Sequence, residues 1–316
     1  MYKVLVLYET DDWNKTIPIS DLGNRSAFEC LYSLARKNNV DFYRASIKWF
    51  KKGVFKKGWT FDGKKWIKVK NIKPNLIDDK CTISFENSIL KKKIKKFIPI
   101  INDPYFEQIC ADKFISYLTF PDLIPKTVLI DRYSDPLKLS QQFESKKVVL
   151  KPPDGFGGRG VEILNKDKLK NKKIDAGMIM QEFIDTTGGI PGIAKGAYDL
   201  RLFMINEEIA YAYYRVAKKG ELLSNIHRGA KMINIENKDI PSSTLPLVKK
   251  ILDRFKTFEC KIFTIDLFFD RKGKPYVVEI NSKPGLFFYK EDKKLQTEVY
   301  LKMIDAYKIY LKSLKE

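Results

Sequence analysis

Apolar and polar positions change their period several times along the chain, and each change marks a predicted element. Residues 3–8, KVLVLY, form an apolar run of strand length. The stretch SDLGNRSAFECLYSLARKNN that follows it places Ala27, Leu31, Leu34 and Ala35 on one face of a helix. Val40–Ala45 reads as the next strand, so the chain opens on a βαβ-like unit of a small α/β domain. Residues 47–70 alternate aromatics with lysines, and Gly53, Gly58 and Gly63 punctuate them. That pattern predicts a β-meander or a pair of hairpins. SILKKKIKKF reads as a basic helix with its lysines on a solvated face, followed by a strand at FIPIIN. A boundary is expected near Asn102-Asp103-Pro104.

Beyond it, Tyr105–Leu118 and Pro136–Glu144 read as helices, and Lys126–Ile130 as a strand. Strands at Lys147–Leu150 and Val161–Leu164 flank a glycine-rich turn, as a flap would. The polar run NKDKLKNKKIDAG predicts a second boundary. After it come a strand in MIMQEFI, a hairpin turning near Asn206-Glu207, a helix at about Leu245–Phe258, two strands and a closing helix. The fold class is therefore α/β (α+β), divided at residues 1–101, 102–176 and 177–316.

Composition narrows the function classes. The 316 residues are 44% hydrophobic and 13% aromatic, enough for more than one buried core. No segment approaches the roughly 20 apolar residues of a membrane span, so no membrane association is expected. The opening MYKVLVLYET reads as a first strand rather than a signal peptide. Cys30, Cys81, Cys110 and Cys260 are widely spaced, which fits reduced thiols in the cytoplasm. The net charge of +20 points to an acidic partner or to a plain lysine bias. Trp49, Trp59 and Trp66 among lysines could stack on a single nucleic-acid strand, but tryptophans more commonly anchor small sheets. Nucleic acid is accordingly the less favoured partner. The arginines are more telling: Arg159, Arg201, Arg215 and Arg228 share the region of the glycine-rich turn. Arginine's planar fork suits phosphate and carboxylate.

Two stretches carry chemistry. KPPDGFGGRG, residues 151–160, resembles a phosphate cradle, yet lacks the Gly-Lys-Ser/Thr of a P-loop and the G-x-G-x-x-G spacing. By itself it could equally be a pliable hairpin tip. FTIDLFFDRKGKPYVVEINSKPGL predicts two strands joined by a two-residue Lys272-Gly273 turn. Alternation puts Phe263, Ile265, Leu267 and Phe269 on one face and Asp266 on the other, with Val277, Glu279 and Asn281 sharing a face of the second strand. That register sets Asp266 opposite Glu279, and like charges so placed are destabilising unless something positive lies between them. Two carboxylates and an amide suit Mg²⁺, with Mn²⁺ as the alternative, and Mg²⁺ held by few protein ligands usually takes substrate phosphates as the rest.

From about Ile101 onwards the chain resembles the ATP-grasp superfamily, in particular its RimK-type ribosomal-protein glutamate ligases and its bacterial glutathione synthetases. KPPDGFGG is similar to the glutathione synthetase form. MQEFI, YDLRLFMINEEIAYAYYRVAKKGELLSNIHRGA and VVEINSKPGL are similar to the RimK form. The resemblance implies an ATP-grasp fold: a small N-terminal α/β domain, then two α+β subdomains that clamp ATP. It implies that Lys113 and Lys151 reach the nucleotide phosphates, and that Gly155, Phe156, Gly157, Gly158 and Gly160 form a lid. Glu182, Phe183 and Ile184 would hold adenine, and Asp199 would lie near the nucleotide. Asp266, Glu279 and Asn281 would hold magnesium. Arg215 and Asn225, with Arg201 and Arg228, would stabilise the transferred phosphate. His227, the only histidine, fits a structural loop better than a general base. Leu223 stands where the RimK form has arginine, Ala230 replaces a glycine, and the link 185–198 is longer than in that form, which bears on substrate identity.

The implied activity is ATP-dependent carboxylate–amine ligation through an acyl phosphate, with an amino acid or peptide as substrate. The carboxylate and amine substrates are the expected partners, with an acidic peptide or carrier protein suggested by the charge. ATP-grasp relatives often dimerise, so the resemblance also makes a homodimer an expectation. An ATP-grasp kinase acting on a small molecule, or a basic nucleic-acid or partner-binding module with regulatory ATP, are the rival readings.

Overall fold

A computed structural model describes residues 1–155, 157–224, 229–286 and 288–315. The first elements are β1 (Tyr2–Tyr8), α1 (Leu22–Lys37), β2 (Val40–Ser46), β3 (Phe50–Lys51), β4 (Val54–Phe61), β5 (Trp66–Ile72), β6 (Leu76–Asp79), α2 (Phe85–Lys95) and β7 (Ile100–Ile101). There follow α3 (Pro104–Ala111), α4 (Lys113–Thr119), β8 (Thr127–Leu129), α5 (Pro136–Ser140), β9 (Lys147–Lys151), β10 (Glu162–Asn165) and β11 (Ile179–Glu182). The last are β12 (Tyr198–Ile205), β13 (Glu208–Val216), β14 (Lys231–Ile235), α6 (Leu245–Arg254), β15 (Ile262–Phe269), β16 (Pro275–Asn281) and α7 (Lys293–Ser313).

The chain divides into two compact units. One comprises Met1–Glu107, Phe258–Ile262 and Lys283–Glu316, and the other Gln108–Thr257 and Phe263–Ser282. The expected division point at 176/177 falls between β10 and β11, two strands of a single sheet, and the closing helix α7 belongs to the first unit.

In the first unit the sheet order is β3-β4-β2-β1-β6-β7, with β5 paired to β4. β1 runs parallel to β2 and β6, and β6 to β7. Leu5, Leu7, Phe55, Ile77 and Ile94 pack in its core. Trp49, Trp59 and Trp66 are only 8%, 1% and 8% exposed. Their indole N–H groups donate to Asp11, Asp12 and Glu29 respectively. Their faces are spent on packing, which removes the base-stacking platform. The basic helix also departs from expectation. α2 starts three residues earlier, capped by Ser84, whose Oγ accepts from Asn87 N at 3.1 Å. Lys91 shares a face with Asn87 and Ile94 and is 2% exposed. Its Nζ lies 2.6 Å from Asp79 Oδ2 and 3.0 Å from Glu107 Oε2, so this lysine is a buried ion-pair member, not part of the solvated face.

In the second unit, β10-β9-β11-β8 form an antiparallel sheet over Val148, Leu150, Leu169 and Met180. A second sheet runs β14-β13-β12-β15-β16. The single helix expected at 105–118 is broken into α3 and α4. Asp112 is the reason: its Oδ1 accepts from Phe114 N and Ile115 N at 2.8 and 3.0 Å, starting a new helix. α5 stops at Ser140, short of the expected Glu144.

The β15–β16 hairpin reaches the expected pairing by a different route. Asp270 N donates to Lys274 O, so the turn spans three residues, 271–273, ending on Gly273 at φ +78°. That sets Leu267 opposite Val277, one step off the expected register. A bulge then inserts one extra residue, and Asp266 stands opposite Glu279 after all. The bulge also changes the faces: Val277 and Ile280 enter the core at 0% and 1% exposure, while Val278 and Glu279 both line a cleft.

Candidate active site

The second unit holds an open cleft. It collects residues from both sheets: Lys151 from β9, Gln181 and Glu182 from β11, Asp199 from β12, Arg215 from β13, and Asp266 and Glu279 from β15 and β16. Apolar walls come from Val149, Ile163, Phe183 and Ile184. A mostly apolar cleft with a few convergent charged groups is the usual form of a ligand site.

One end is cationic. Lys151 is 5% exposed, and its Nζ donates to Gln181 Oε1 at 2.7 Å. The Gln181 amide is oriented by what lies behind it. Thr127 Oγ1 donates to Pro125 O at 2.8 Å and accepts from Gln181 Nε2 at 2.8 Å. With its NH₂ group so engaged, the amide must present its oxygen to Lys151. Burial, helped by the nearby Lys113 charge and opposed by Glu279, pulls the Lys151 ammonium down to about 7. Lys113 opens α4, and its backbone N–H donates to Pro153 O at 2.9 Å, tying the helix start to the glycine loop. Its Nζ donates to Gly155 O and lies 3.6 Å from Glu279 Oε1. Gly157, Gly158 and Gly160 take φ of +67°, +72° and +68°, a left-handed path that side chains resist. Gly155, Gly157 and Gly158 line the cleft, and Gly160 does not. At the apolar side, Glu182 Oε1 accepts from Glu144 N and Ser145 N at 3.0 and 3.3 Å, so this carboxylate pins the neighbouring turn.

The other end is a network of arginines and aspartates. Asp199 and Arg215 are directly opposed on β12 and β13, and Arg215 grips Asp199 with two bonds of 2.7 and 2.8 Å. Arg215 Nη2 also reaches Asp266 Oδ2 at 2.6 Å. Arg201 binds both oxygens of Asp266, at 2.7 and 2.6 Å. Ser224 Oγ donates to Asp199. Burial pushes the Asp266 carboxyl up, but the Arg201 and Arg215 guanidiniums outweigh it and hold it below the usual range. Burial wins at Asp199, where the Asp266 charge adds to it, and that carboxyl is raised despite Arg215. This corrects the idea that only a metal could reconcile the facing acids. Guanidiniums neutralise Asp266, and Lys113 stands by Glu279.

The donor set still fits magnesium. Asp266 Oδ1 accepts from Arg201 Nε and keeps a second lone pair, whereas Oδ2 already accepts from both guanidiniums, and Glu279 lines the cleft 3.6 Å from Lys113. Among the described residues no group of three or more His, Cys, Asp or Glu could hold a metal alone. Two carboxylates would therefore need further oxygen ligands, which substrate phosphates could supply. Asn281 is opposite Thr264 and is not among the cleft-lining residues. Phe156, Asn225, His227 and Arg228 lie outside the described residues. Leu223 lines the cleft, as does Thr186 of the long link. Gln181, Thr127 and Ser224 were not singled out from the sequence. The available signal for Gln181 was an amide directly following the apolar residues Met178, Ile179 and Met180.

A family model for the RimK-like ATP-grasp domain matches residues 119–307. A probable alpha-L-glutamate ligase of Legionella pneumophila (strain Corby) is 30% identical over 170 residues, 52% of this chain and 51% of that protein. The chain thus spans about half the length of the curated relatives it matches. Among solved structures, a Chryseobacterium gregarium RiPP-associated ATP-grasp ligase, in complex with ADP and a leader and core peptide, aligns with TM-score 0.61 at 16% identity. It covers 96% of this chain and 97% of that one. D-alanine–D-alanine ligase from Bacillus anthracis, complexed with ATP, aligns with TM-score 0.61 at 14% identity, covering 99% of each chain. At these identities the structural likeness speaks to the fold, which is of the ATP-grasp α+β type.

Proposed function

For a chain that belongs to the RimK-like ATP-grasp family, we propose an ATP-dependent carboxylate–amine ligase. The observation that carries this reading is one cleft holding two buried or half-buried lysines, a glycine loop and two opposed carboxylates. The relatives named as probable glutamate ligases make an amino acid or peptide the natural substrate class.

In this reading a substrate carboxylate oxygen attacks the γ-phosphorus of ATP, and the bond to the β–γ bridging oxygen breaks, releasing ADP. An amine then attacks the acyl carbon, phosphate leaves, and the amine gives up a proton to water. The chain's contribution is positioning and charge. Lys151 and Lys113 bind phosphate oxygens. Lys113 also links Glu279 to the glycine loop, so the loop can close against the acidic hairpin. Phe183, Ile184, Val149 and Ile163 enclose the base in an apolar slot. Arg215, with Arg201, meets the charge that builds on the transferred group, and Asn225 and Arg228 would join them. Asp266, Glu279 and Asn281 would hold Mg²⁺, or Mn²⁺ in its place; the ion would neutralise phosphate charge. The four free thiols fit a reducing, cytoplasmic setting. No helix among the described residues is long and apolar enough to cross a membrane.

The test is a screen of amino acids and peptides, in carboxylate–amine pairs, for ATP-dependent phosphate release, followed by mass analysis. Free phosphate with a product lighter by one water than the pair supports the ligase. A product heavier by one phosphoryl group, with no free phosphate, would establish the kinase instead.

A further inference from the structure

Ten lysines and a single acid, Asp62, occupy residues 46–75, while the whole chain has 59 basic and 39 acidic residues. The lysine bias of the chain does not account for so lopsided a segment. Among the described residues none of these ten lysines is in an ion pair. They fall on the β4–β5 hairpin and its flanks. Lys57 stands directly opposite Lys70, and Lys68 opposite Trp59. Like charges opposed across strands destabilise a sheet, so the pairing is unfavourable unless an anion joins it. Side chains two apart share a face, so Lys57, Lys68 and Lys70 surround one patch. Trp13 lies within it: Lys57 Nζ and Lys68 Nζ sit 5.5 and 5.2 Å from its ring centre. Lys68 and Lys70 are exposed. β5 pairs only with β4 among the described strands, which leaves its other edge open.

We propose that this hairpin is a docking surface for an extended, Asp/Glu-rich peptide. Its charge is complementary, and a strand edge carrying alternate lysines matches the side-chain period of an extended chain. Peptide is favoured over nucleic acid for two reasons. Trp49, Trp59 and Trp66 are buried, and half-buried Trp13 has the Lys57 and Lys68 ammoniums over its ring, so none offers a base an open stacking face. The segment contains no arginine, the residue whose fork best grips phosphate. The docking stands independently of the ligase reading; that the docked peptide carries the acceptor amine or carboxylate rests on it.

The experiment uses the full chain without ATP and a fluorescent ten-residue glutamate peptide, read by anisotropy. A ten-residue glutamine peptide and a single-stranded oligonucleotide of equal charge serve as controls. The glutamate peptide is expected to bind, the glutamine peptide not, and affinity should fall steeply between about 50 and 300 mM salt. The variant K57E/K68E/K70E should bind roughly tenfold or more weakly, with an unchanged melting temperature. Should it fold poorly, K57Q/K68Q/K70Q decides, with a smaller loss expected. Binding by a folded variant equal to wild type would overturn the proposal, as would an oligonucleotide bound as tightly as the peptide. Phosphate release with a small neutral acceptor should be the same in wild type and variant. Its absence from both, with peptide binding intact, would sink the ligase reading and leave the docking surface standing.

Discussion

Gln181→Met keeps the side-chain length and removes the amide oxygen to which Lys151 Nζ donates at 2.7 Å. A hydrogen bond to a charged group is worth about 1.5–3 kcal/mol, which corresponds to roughly 1–2 pKa units on the lysine. Lys151 titrates at about 7 in the unliganded protein, so the variant should titrate at about 5–6. Binding of nucleotide phosphates requires the ammonium form. Affinity therefore stays level below the pKa of the free protein and falls up to about tenfold per pH unit above it. At pH 7.5 the variant should bind ADP roughly 10–100-fold more weakly than wild type. Gln181→Glu should do the opposite: a carboxylate beside Lys151 raises its pKa and carries tight binding to higher pH. The assay is calorimetric titration with magnesium and ADP from pH 6 to 9, in two buffers of different ionisation enthalpy, so that proton uptake is read directly. Wild type should take up a proton on binding above pH 7. If the three profiles superimpose, or if binding releases a proton, Lys151 does not hold phosphate as its geometry implies.

Other consequences separate chemistry from stability. Glu279→Gln removes one partly exposed carboxylate 3.6 Å from Lys113 and should abolish phosphate release while the melting temperature stays within about 3 °C. Asp266→Ala should abolish release and also destabilise, because Arg201 and Arg215 are left buried without their shared partner; about 3–5 kcal/mol, or roughly 10 °C in melting temperature, is expected. Lys91→Met should also destabilise in thermal melting, but by less than Asp266→Ala, since Asp79 and Glu107 lose one of two lysines and keep Lys283. Lys151 also shapes the pH dependence of stability. Its folded pKa is depressed, so the unfolded chain binds more protons between about 7 and 10.5. Its cost to the fold is full below about pH 7 and is relieved as pH rises; in urea titrations Lys151→Met should stabilise most at the low end of that range.

Local periodicity made much of the fold legible. The β12–β13 hairpin turns at Asn206, as its sequence indicates, and β1, α1 and β2 follow their patterns. What pattern alone did not show depends on distant partners. Lys91 looks like any surface lysine until Asp79 and Glu107, from other elements, converge on it. Gln181 matters because Thr127 and Lys151, on the strands either side, fix its amide. The Asp266–Glu279 pairing came out as expected only because a longer turn and a bulge offset each other. Neither deviation leaves a distinct mark in the sequence. The guanidinium partners of Asp266 were likewise assigned to phosphate before the sheet showed Arg201 and Arg215 facing it.

Isotope transfer tests the acyl-phosphate ligase most directly. A carboxylate substrate labelled with ¹⁸O is incubated with ATP, magnesium, the amine and the protein, and the released phosphate is analysed by mass. One ¹⁸O atom in each phosphate, together with an amide product, is the expected result. Unlabelled phosphate, or label retained in a stable phosphorylated product, would contradict it.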